Sequence, residues 1–334
     1  MRKQFLCLMC AVLAAFTFFG VYRNESTASA EARAEIAMEL TTETVLTQKN
    51  ADARLPMAST TKILTAIIIV EDCDLEEVIT VPDCAVGTEG SSIYLKKDEQ
   101  INIIDLLYGL MLRSGNDSAT ALAVHHSGST EKFAQVMTER AKKMGAENSN
   151  FKNPSGLPDD EHYTTARDLC KIACHAMRND TFRKIVSTTD YRGSYRSFHN
   201  KNKMLYSCEG ANGVKTGYTL KAGRCLVSSA ERNGMDVVCV VLNCPDMYER
   251  SSVIFDNCFN NYKLLKLDEN KVFMCNKVLC KIKNSKSIVL KTNEKMKYRV
   301  IPVNNPEDNE IAQLEIYSEN NLIFTEKLYS IIDK

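Results

Sequence analysis

Between Ala58 and Val70 the chain reads as one helix, opened by Ser59-Thr60-Thr61-Lys62 and continued by Ile63-Leu64-Thr65-Ala66-Ile67-Ile68-Ile69. After Lys62 it is apolar on almost every side. Such a helix has no face to offer to water and must be wrapped by the rest of a core. Ser59 and Lys62 stand three residues apart at its start, so they share a face and the ammonium can fold back onto the hydroxyl. The same helix start leaves backbone N–H groups without intrahelical partners, and these can hold an oxyanion.

A serine hydroxyl is a poor nucleophile until a neighbouring base takes its proton. Lysine near its ordinary pKa of about 10.4 is almost never neutral at pH 7, and lowering that value by about 3 units costs roughly 4 kcal/mol. Burial and a second positive charge are the two sources of such a shift. The apolar residues after Lys62 can supply the burial, and the second cation has to come from elsewhere in the chain. By itself Ser-x-x-Lys carries little information, since about one match is expected by chance in a chain of this length.

The surrounding pattern is α+β. Ile36–Leu40 and Thr44–Thr47 read as two strands; Ile103 to Leu112, Asp117 to Val124, Thr130 to Met144 and Thr165 to Met177 read as helices. Gly213–Thr219, Gly223–Ala230 and Met235–Leu242 have the β-branched character of neighbouring strands, with Arg232-Asn233-Gly234 as a hairpin turn. A helix from Asp246 to Leu265 closes this part. Helices inserted between early and late strands imply one sheet built from both ends of the sequence. After Lys266 short alternating segments between polar turns predict a small all-β module. The expected division is therefore a leader over 1–30, a catalytic domain over 31–265 and a β-rich domain over 266–334.

Arg2 and Lys3, the apolar run Phe5 to Val21 and the small residues Ala28-Ser29-Ala30 form an export signal, with cleavage expected after Ala30. An uncleaved leader that keeps the protein on the membrane is the alternative. Either places the protein outside the cytoplasm, at the wall or the outer membrane face. The 42 basic and 42 acidic residues cancel, which removes the electrostatic footprint of a nucleic-acid partner. Of 13 cysteines, Cys7 and Cys10 lie in the leader, and the rest are scattered without the spacing of a zinc site. Free thiols in core positions are the expectation, with no metal and no cofactor.

Two more motifs complete the pattern: Ser114-Gly115-Asn116 in a loop between helices, and Lys215-Thr216-Gly217 in a strand. Ser-x-x-Lys, Ser-x-Asn and Lys-Thr-Gly in that order form the signature of the penicillin-recognising serine enzymes. Leu112-Arg113-Ser114-Gly115-Asn116-Asp117-Ser118-Ala119, Asn153-Pro154-Ser155-Gly156-Leu157 and His162-Tyr163-Thr164-Thr165-Ala166-Arg167-Asp168 narrow it further. From about residue 34 to 263 the chain resembles the D-alanyl-D-alanine carboxypeptidases, the low-molecular-mass penicillin-binding proteins.

The resemblance implies the penicillin-recognising (β-lactamase-like) α+β fold, an antiparallel sheet with a helical cluster, followed by the small β module. It implies Ser59 as nucleophile on the penultimate D-alanine of a peptidoglycan stem peptide, and Lys62 as its base. Ser114 would relay a proton to the leaving group, and Asn116 would fix the substrate amide and the lysines. Lys215 would supply the second cation and, with Thr216, face the terminal carboxylate. The N–H groups of Ser59 and Tyr218, the latter just after Gly217, would form the oxyanion hole. β-Lactam antibiotics would be covalent inhibitors. Some relatives grip the carboxylate with an arginine after the strand that follows Lys-Thr-Gly. Here that stretch is Asn243-Cys244-Pro245-Asp246, with Arg250 the nearest arginine, so the grip is expected from Lys215, Thr216 and Thr219.

His162, in a Pro/Gly-rich loop, reads as structural, and Ser91, Ser92 and Tyr94 read equally as cleft mouth or plain turn. A DD-endopeptidase on cross-linked peptidoglycan, a β-lactamase and a non-catalytic wall-binding protein are the competing functions. A β-lactamase would need a deacylating glutamate with an Asn four residues on, and Glu147 and Asn150 have the wrong spacing.

Overall fold

The computed structural model describes residues 31–194, 196–303 and 309–331, so the expected leader lies outside the described residues. In chain order the elements are β1 (Ala34–Glu39), β2 (Val45–Lys49), α1 (Lys62–Asp72), β3 (Val78–Thr80), β4 (Gln100–Asn102), α2 (Ile103–Leu112), α3 (Asn116–Ser127), α4 (Thr130–Lys143), α5 (Ala166–Met177), α6 (Asp180–Ser187), β5 (Asp190–Arg192), β6 (Ser197–His199), α7 (Met204–Ser207), β7 (Ala211–Thr219), β8 (Gly223–Arg232), β9 (Met235–Leu242) and α8 (Met247–Asn261). The C-terminal strands follow as β10 (Tyr262–Leu267), β11 (Phe273–Cys275), β12 (Val278–Lys281), β13 (Lys286–Lys291), β14 (Met296–Pro302), β15 (Glu310–Ser318) and β16 (Asn321–Ser330).

The central sheet runs β2-β1-β9-β8-β7, all antiparallel where paired. The two opening strands thus join the three late ones, as the alternation of elements implies. In the β1–β2 turn Glu43 takes the left-handed conformation (φ 54°) that a glycine would adopt without strain. One face of the sheet packs on a helical cluster around α1, whose Ile63, Leu64, Ala66, Ile67, Ile68 and Ile69 are fully buried. The other face carries α8, through Ile254, Phe255 and Cys258 against Val237, Cys239 and Val241. Alternation along β9 sends Val238 and Val240 to the first core and their neighbours to the second, which is why the strand is apolar throughout.

The helix expected from Ala58 begins as a tight 3-10 turn over Ala58–Thr61, and regular α-helix starts only at Lys62. Met57 and Ala58 carbonyls accept from the hydroxyls of Thr60 and Thr61, which closes this turn with side chains. At α5 the helix is capped by Thr165, whose Oγ1 accepts from Asp168 N.

The helix expected over Asp246–Leu265 stops at Asn261. Tyr262–Leu267 is strand β10, paired along its length with β13, and that ladder outcompetes the helical pattern. The strand spanning residue 265 therefore belongs with the C-terminal strands. Five of these form the sheet β11-β12-β16-β15-β14 over a core of Leu267, Phe273, Cys280, Leu314, Ile316 and Leu328. The short strand β11 and the small hairpins β3–β4 and β5–β6 carried no readable periodicity. All eleven cysteines among the described residues are free thiols, eight of them buried. Among the described residues there is no cluster that could hold a metal, and no helix is long and apolar enough to cross a membrane.

Candidate active site

Ser59 sits in the 3-10 turn at the head of α1, and Lys62 is the first residue of the helix proper. The Lys62 ammonium nitrogen has three polar neighbours. Asn116 Oδ1 and the Ser155 carbonyl lie at 2.6 Å each, and Ser59 Oγ lies at 3.0 Å. The Ser155 carbonyl can only accept. Asn116 is oriented by its own nitrogen, which donates to the Glu89 carbonyl at 2.5 Å, so its oxygen must face the lysine. A neutral lysine has two N–H bonds and one lone pair. With both N–H bonds committed to obligate acceptors, the lone pair points at the serine hydroxyl.

Each element of this cage has a local cause. The loop over residues 153–157 is held by Asn153, whose Oδ1 accepts from the backbone N–H groups of Ser155, Gly156 and Leu157 and so turns the Ser155 carbonyl toward Lys62. Gly156 (φ 87°) passes so close to the nucleophile turn that a Cβ there would lie 1.9 Å from the Ala58 carbonyl oxygen. Thr65, one turn below Lys62, ties the same loop through the Pro154 carbonyl at 2.7 Å. At the start of α3 the buried Asp117 accepts from Ile93 N, Leu95 N and Ser92 Oγ, which fixes the loop that flanks the cleft.

Lys62 is fully buried, and its pKa is lowered well below the usual lysine value, by desolvation first and by the Lys215 charge second, against an opposing pull from Asp117. These are the two sources of shift expected from the sequence. Lys215 is itself buried and lowered to about 7, by desolvation and by the Lys201 charge. Lys62 thus feels the Lys215 charge, and Lys215 that of Lys201.

Strand β7 lies against the nucleophile turn. A Cβ at Gly217 would stand 3.0 Å from Ser59 N and 3.1 Å from both Met57 O and Thr60 N, so only a glycine fits there without displacing backbone. Above it opens a cleft of about 640 Å³, lined by Ser59, Ser114, Thr216, Gly217 and Tyr218 together with Ser91, Lys201, Arg224, Met247 and Tyr248. Ser114 is held in the left-handed region (φ 65°) at the tip of the α2–α3 loop, a strained placement for a non-glycine residue.

The three motifs thus meet at one cleft, although Lys62, Asn116 and Lys215 lie beneath its surface. Lys215 Nζ donates to the Thr216 carbonyl at 2.8 Å and does not line the opening. Thr219 Oγ1 accepts from Ala222 N and closes the β7–β8 turn, so that hydroxyl is engaged in the turn. Of Ser91, Ser92 and Tyr94, which read equally as cleft mouth or plain turn, only Ser91 is among the residues lining the cleft. Arg250 is bound to Glu35, in a bidentate pair behind the sheet. His162 accepts from Lys152 N at Nδ1, so in the neutral ring Nε2 carries the proton and faces Thr61 Oγ1 at 2.8 Å. Its contacts brace the nucleophile turn from behind.

Residues missed in the sequence are Lys201, Arg224, Met247, Tyr248 and the Ser155 and Glu89 carbonyls. The carbonyls leave no sequence signal at all. The four side chains come from loops and element ends whose approach to the cleft depends on the sheet being assembled.

Comparison with known proteins agrees with this geometry. Residues 22–246 match the family described as D-alanyl-D-alanine carboxypeptidase, peptidase S11. The chain is 31% identical over 309 residues to the D-alanyl-D-alanine carboxypeptidase DacF of Bacillus subtilis, covering 87% of this chain and 77% of that protein. It is 36% identical over 238 residues to the D-alanyl-D-alanine carboxypeptidase of a Streptomyces species, covering 65% and 82%. The crystal structure of penicillin-binding protein 5 from Haemophilus influenzae superposes with a TM-score of 0.77 at 25% identity, over 91% of this chain and 97% of that one. With a family match over residues 22–246 and a relative 31% identical over 87% of its length, the chain belongs to the D-alanyl-D-alanine carboxypeptidase family of serine peptidases.

Proposed function

We propose that this protein is a serine-type D-Ala-D-Ala carboxypeptidase that removes the terminal D-alanine from peptidoglycan stem pentapeptides. The observation that carries this reading is the Lys62 nitrogen, held by two acceptors with its third direction on Ser59 Oγ at 3.0 Å. Ser59 attacks the carbonyl of the penultimate D-alanine and its proton passes to neutral Lys62. The developing oxyanion is met by the N–H groups of Ser59 and Tyr218, a reading supported by the close approach of Gly217 to Ser59 N.

Ser114, which lines the same cleft as Thr216, passes a proton to the amine of the departing D-alanine. Water then takes the acyl group from Ser59, with Lys62 serving again as base. Asn116 positions Lys62, and Lys215 keeps it neutral while Thr216 and Gly217 line the bound peptide. β-Lactams acylate the same serine. Among the described residues, the side chains lining the cleft include no carboxylate, which favours this reading over a β-lactamase that deacylates through a glutamate. Export by the leader, with action at the cell wall or outer membrane face, and a separate role for the C-terminal β module belong to the same proposal.

The test is release of free D-alanine from a pentapeptide precursor by residues 31–334, together with labelling by a fluorescent penicillin. Wild type should do both, and Ser59→Ala neither, with unchanged circular dichroism. Cleavage of cross-linked muropeptides without action on pentapeptide would replace this reading with an endopeptidase. Labelling that persists in Ser59→Ala would place the nucleophile elsewhere.

A further inference from the structure

Two cations line the cleft and neither has an acidic partner there. Lys201 and Arg224 are both exposed, and among the described residues neither forms a salt bridge. Among the described residues, the only other ionisable side chains in the lining are Tyr218 and Tyr248, so no acidic side chain there offsets the positive charge. Arginines that reach the surface commonly settle on a carboxylate, as the half-buried Arg140 and Arg167 and the exposed Arg178 do in this protein. Arg224 has instead a single long contact, from Nη1 to the Pro245 carbonyl at 3.3 Å.

The β7–β8 ladder places Arg224 with some precision. It pairs directly with Tyr218, and Thr216 pairs with Leu226. Side chains two apart on a strand share a face, so Thr216, Tyr218 and Arg224 stand on the same side of the sheet. Arg224 is the diagonal neighbour of Thr216, a separation of roughly 7–8 Å, which an extended arginine spans. Its backbone is pinned as well, because Cys244 N donates to the Arg224 carbonyl at 2.8 Å and fastens the strand end to the loop after β9. A planar guanidinium at that distance can take both oxygens of a carboxylate held at the Thr216 hydroxyl.

We infer that Arg224 is a specificity-determining residue, whose guanidinium selects substrates that present a free carboxylate beside Thr216 and discriminates against the same substrates with that group masked. This rests on the carboxypeptidase reading and deepens it, because a site that demands a free terminal carboxylate acts on chain ends in preference to internal bonds. Lys215, being buried and engaged with the Thr216 carbonyl, contributes field to this subsite, whereas Arg224 contributes directed hydrogen bonds.

The decisive experiment compares acylation of Ser59 by benzylpenicillin and by its methyl ester in the wild type, Arg224→Gln and Arg224→Lys. The expected result is a ten- to hundredfold loss with the free acid in Arg224→Gln, a change of less than twofold with the ester, and partial recovery with the acid in Arg224→Lys. Parallel losses with acid and ester, or no loss with either, would overturn the inference. If Arg224→Gln fails to fold, the acid-to-ester ratio in Arg224→Lys decides, since a point charge without the planar fork should lower it several-fold. The ratio reports on Arg224 whatever peptide the enzyme cuts. A wild type that releases no D-alanine but shows the ratio collapse would therefore refute the proposed substrate and leave the carboxylate subsite standing.

Discussion

Asn116 Oδ1 lies 2.6 Å from Lys62 Nζ, and the other end of the same amide is fastened to the Glu89 carbonyl at 2.5 Å. The amide therefore offers the lysine an acceptor with no charge of its own. It occupies one N–H direction and does nothing to hold a proton on the nitrogen.

That distinction can be tested by changing only the charge. Asn116→Asp places a carboxylate beside Lys62, which stabilises the ammonium and raises its pKa. Acylation by penicillin should fall by about a hundredfold at pH 7 and recover as the pH is raised toward 10. Asn116→Ala should lose roughly tenfold to a hundredfold without that recovery, because orientation is lost and the charge balance is not. Equal pH profiles for the two variants would show that Asn116 acts on substrate alone.

Removing the second cation should move a pH limb. The Lys215 charge lowers the Lys62 pKa, so Lys215→Met must raise it, and the acid limb of the acylation rate shifts to higher pH. The amplitude of the rate also falls through the lost positive field at the substrate carboxylate, but the position of the limb is independent of amplitude. Stopped-flow acylation across pH 5–10 reads it directly, and an unmoved limb would contradict the coupling.

The same variant has a signature in stability. Lys215 has a folded-state pKa of about 7 against 10.5 in an open chain, so between those values the unfolded state binds the extra proton. Wild-type stability should therefore rise as pH increases from about 7 to 10, at up to about 1.4 kcal/mol per pH unit for this group. In Lys215→Met that contribution to the slope should vanish. Thermal unfolding in matched buffers supplies the comparison.

Gly217→Ala probes the contact between β7 and the nucleophile turn. The added methyl would meet three backbone atoms of Met57, Ser59 and Thr60 at 3.0–3.1 Å, and none of them can swing aside as a side chain would. The turn has to retreat by a few tenths of an ångström, which should slow acylation by about tenfold to a hundredfold, since misplacement of reacting groups is costly. Global stability should drop by only about 1 kcal/mol. A rate within twofold of wild type would show that the oxyanion site tolerates the shift.

His162 should matter for acid stability and little for chemistry. Burial lowers its pKa from 6.5 to about 4, so an unfolded chain takes up a proton in that window while the folded ring stays neutral. The stability present above pH 6.5 is lost progressively down to about pH 4, by as much as roughly 3 kcal/mol. His162→Gln should flatten that loss, lower stability at pH 7 by about 1–2 kcal/mol through the weakened brace on Thr61, and change acylation less than tenfold. A larger kinetic effect would give the histidine a role in the reaction.

The three motifs were legible because each is a short run of residue types with one chemical use, and because α1 is too apolar to lie anywhere but in a core. Local periodicity was enough for Ile103–Leu112, which is helical over that very range, and for the strands at 223 and 235. It misled at Tyr262–Leu267, where a strand partner some twenty residues on overrides a helical pattern. The order of the sheet could be argued from where strands fall in the chain. The cage around Lys62 could not, since two of its three walls are the Ser155 carbonyl and an amide oriented by the Glu89 carbonyl, and a carbonyl belongs equally to every residue. Arg224 reads as one more exposed charge until pairing with Tyr218 stands it beside Thr216. Side-chain chemistry and hydrophobic period are written residue by residue, and they singled out Ser59 and Lys62 as the candidate pair and determined the fold class. Which backbone groups and which distant charges converge on them depends on long-range packing, and only the assembled structure decided that.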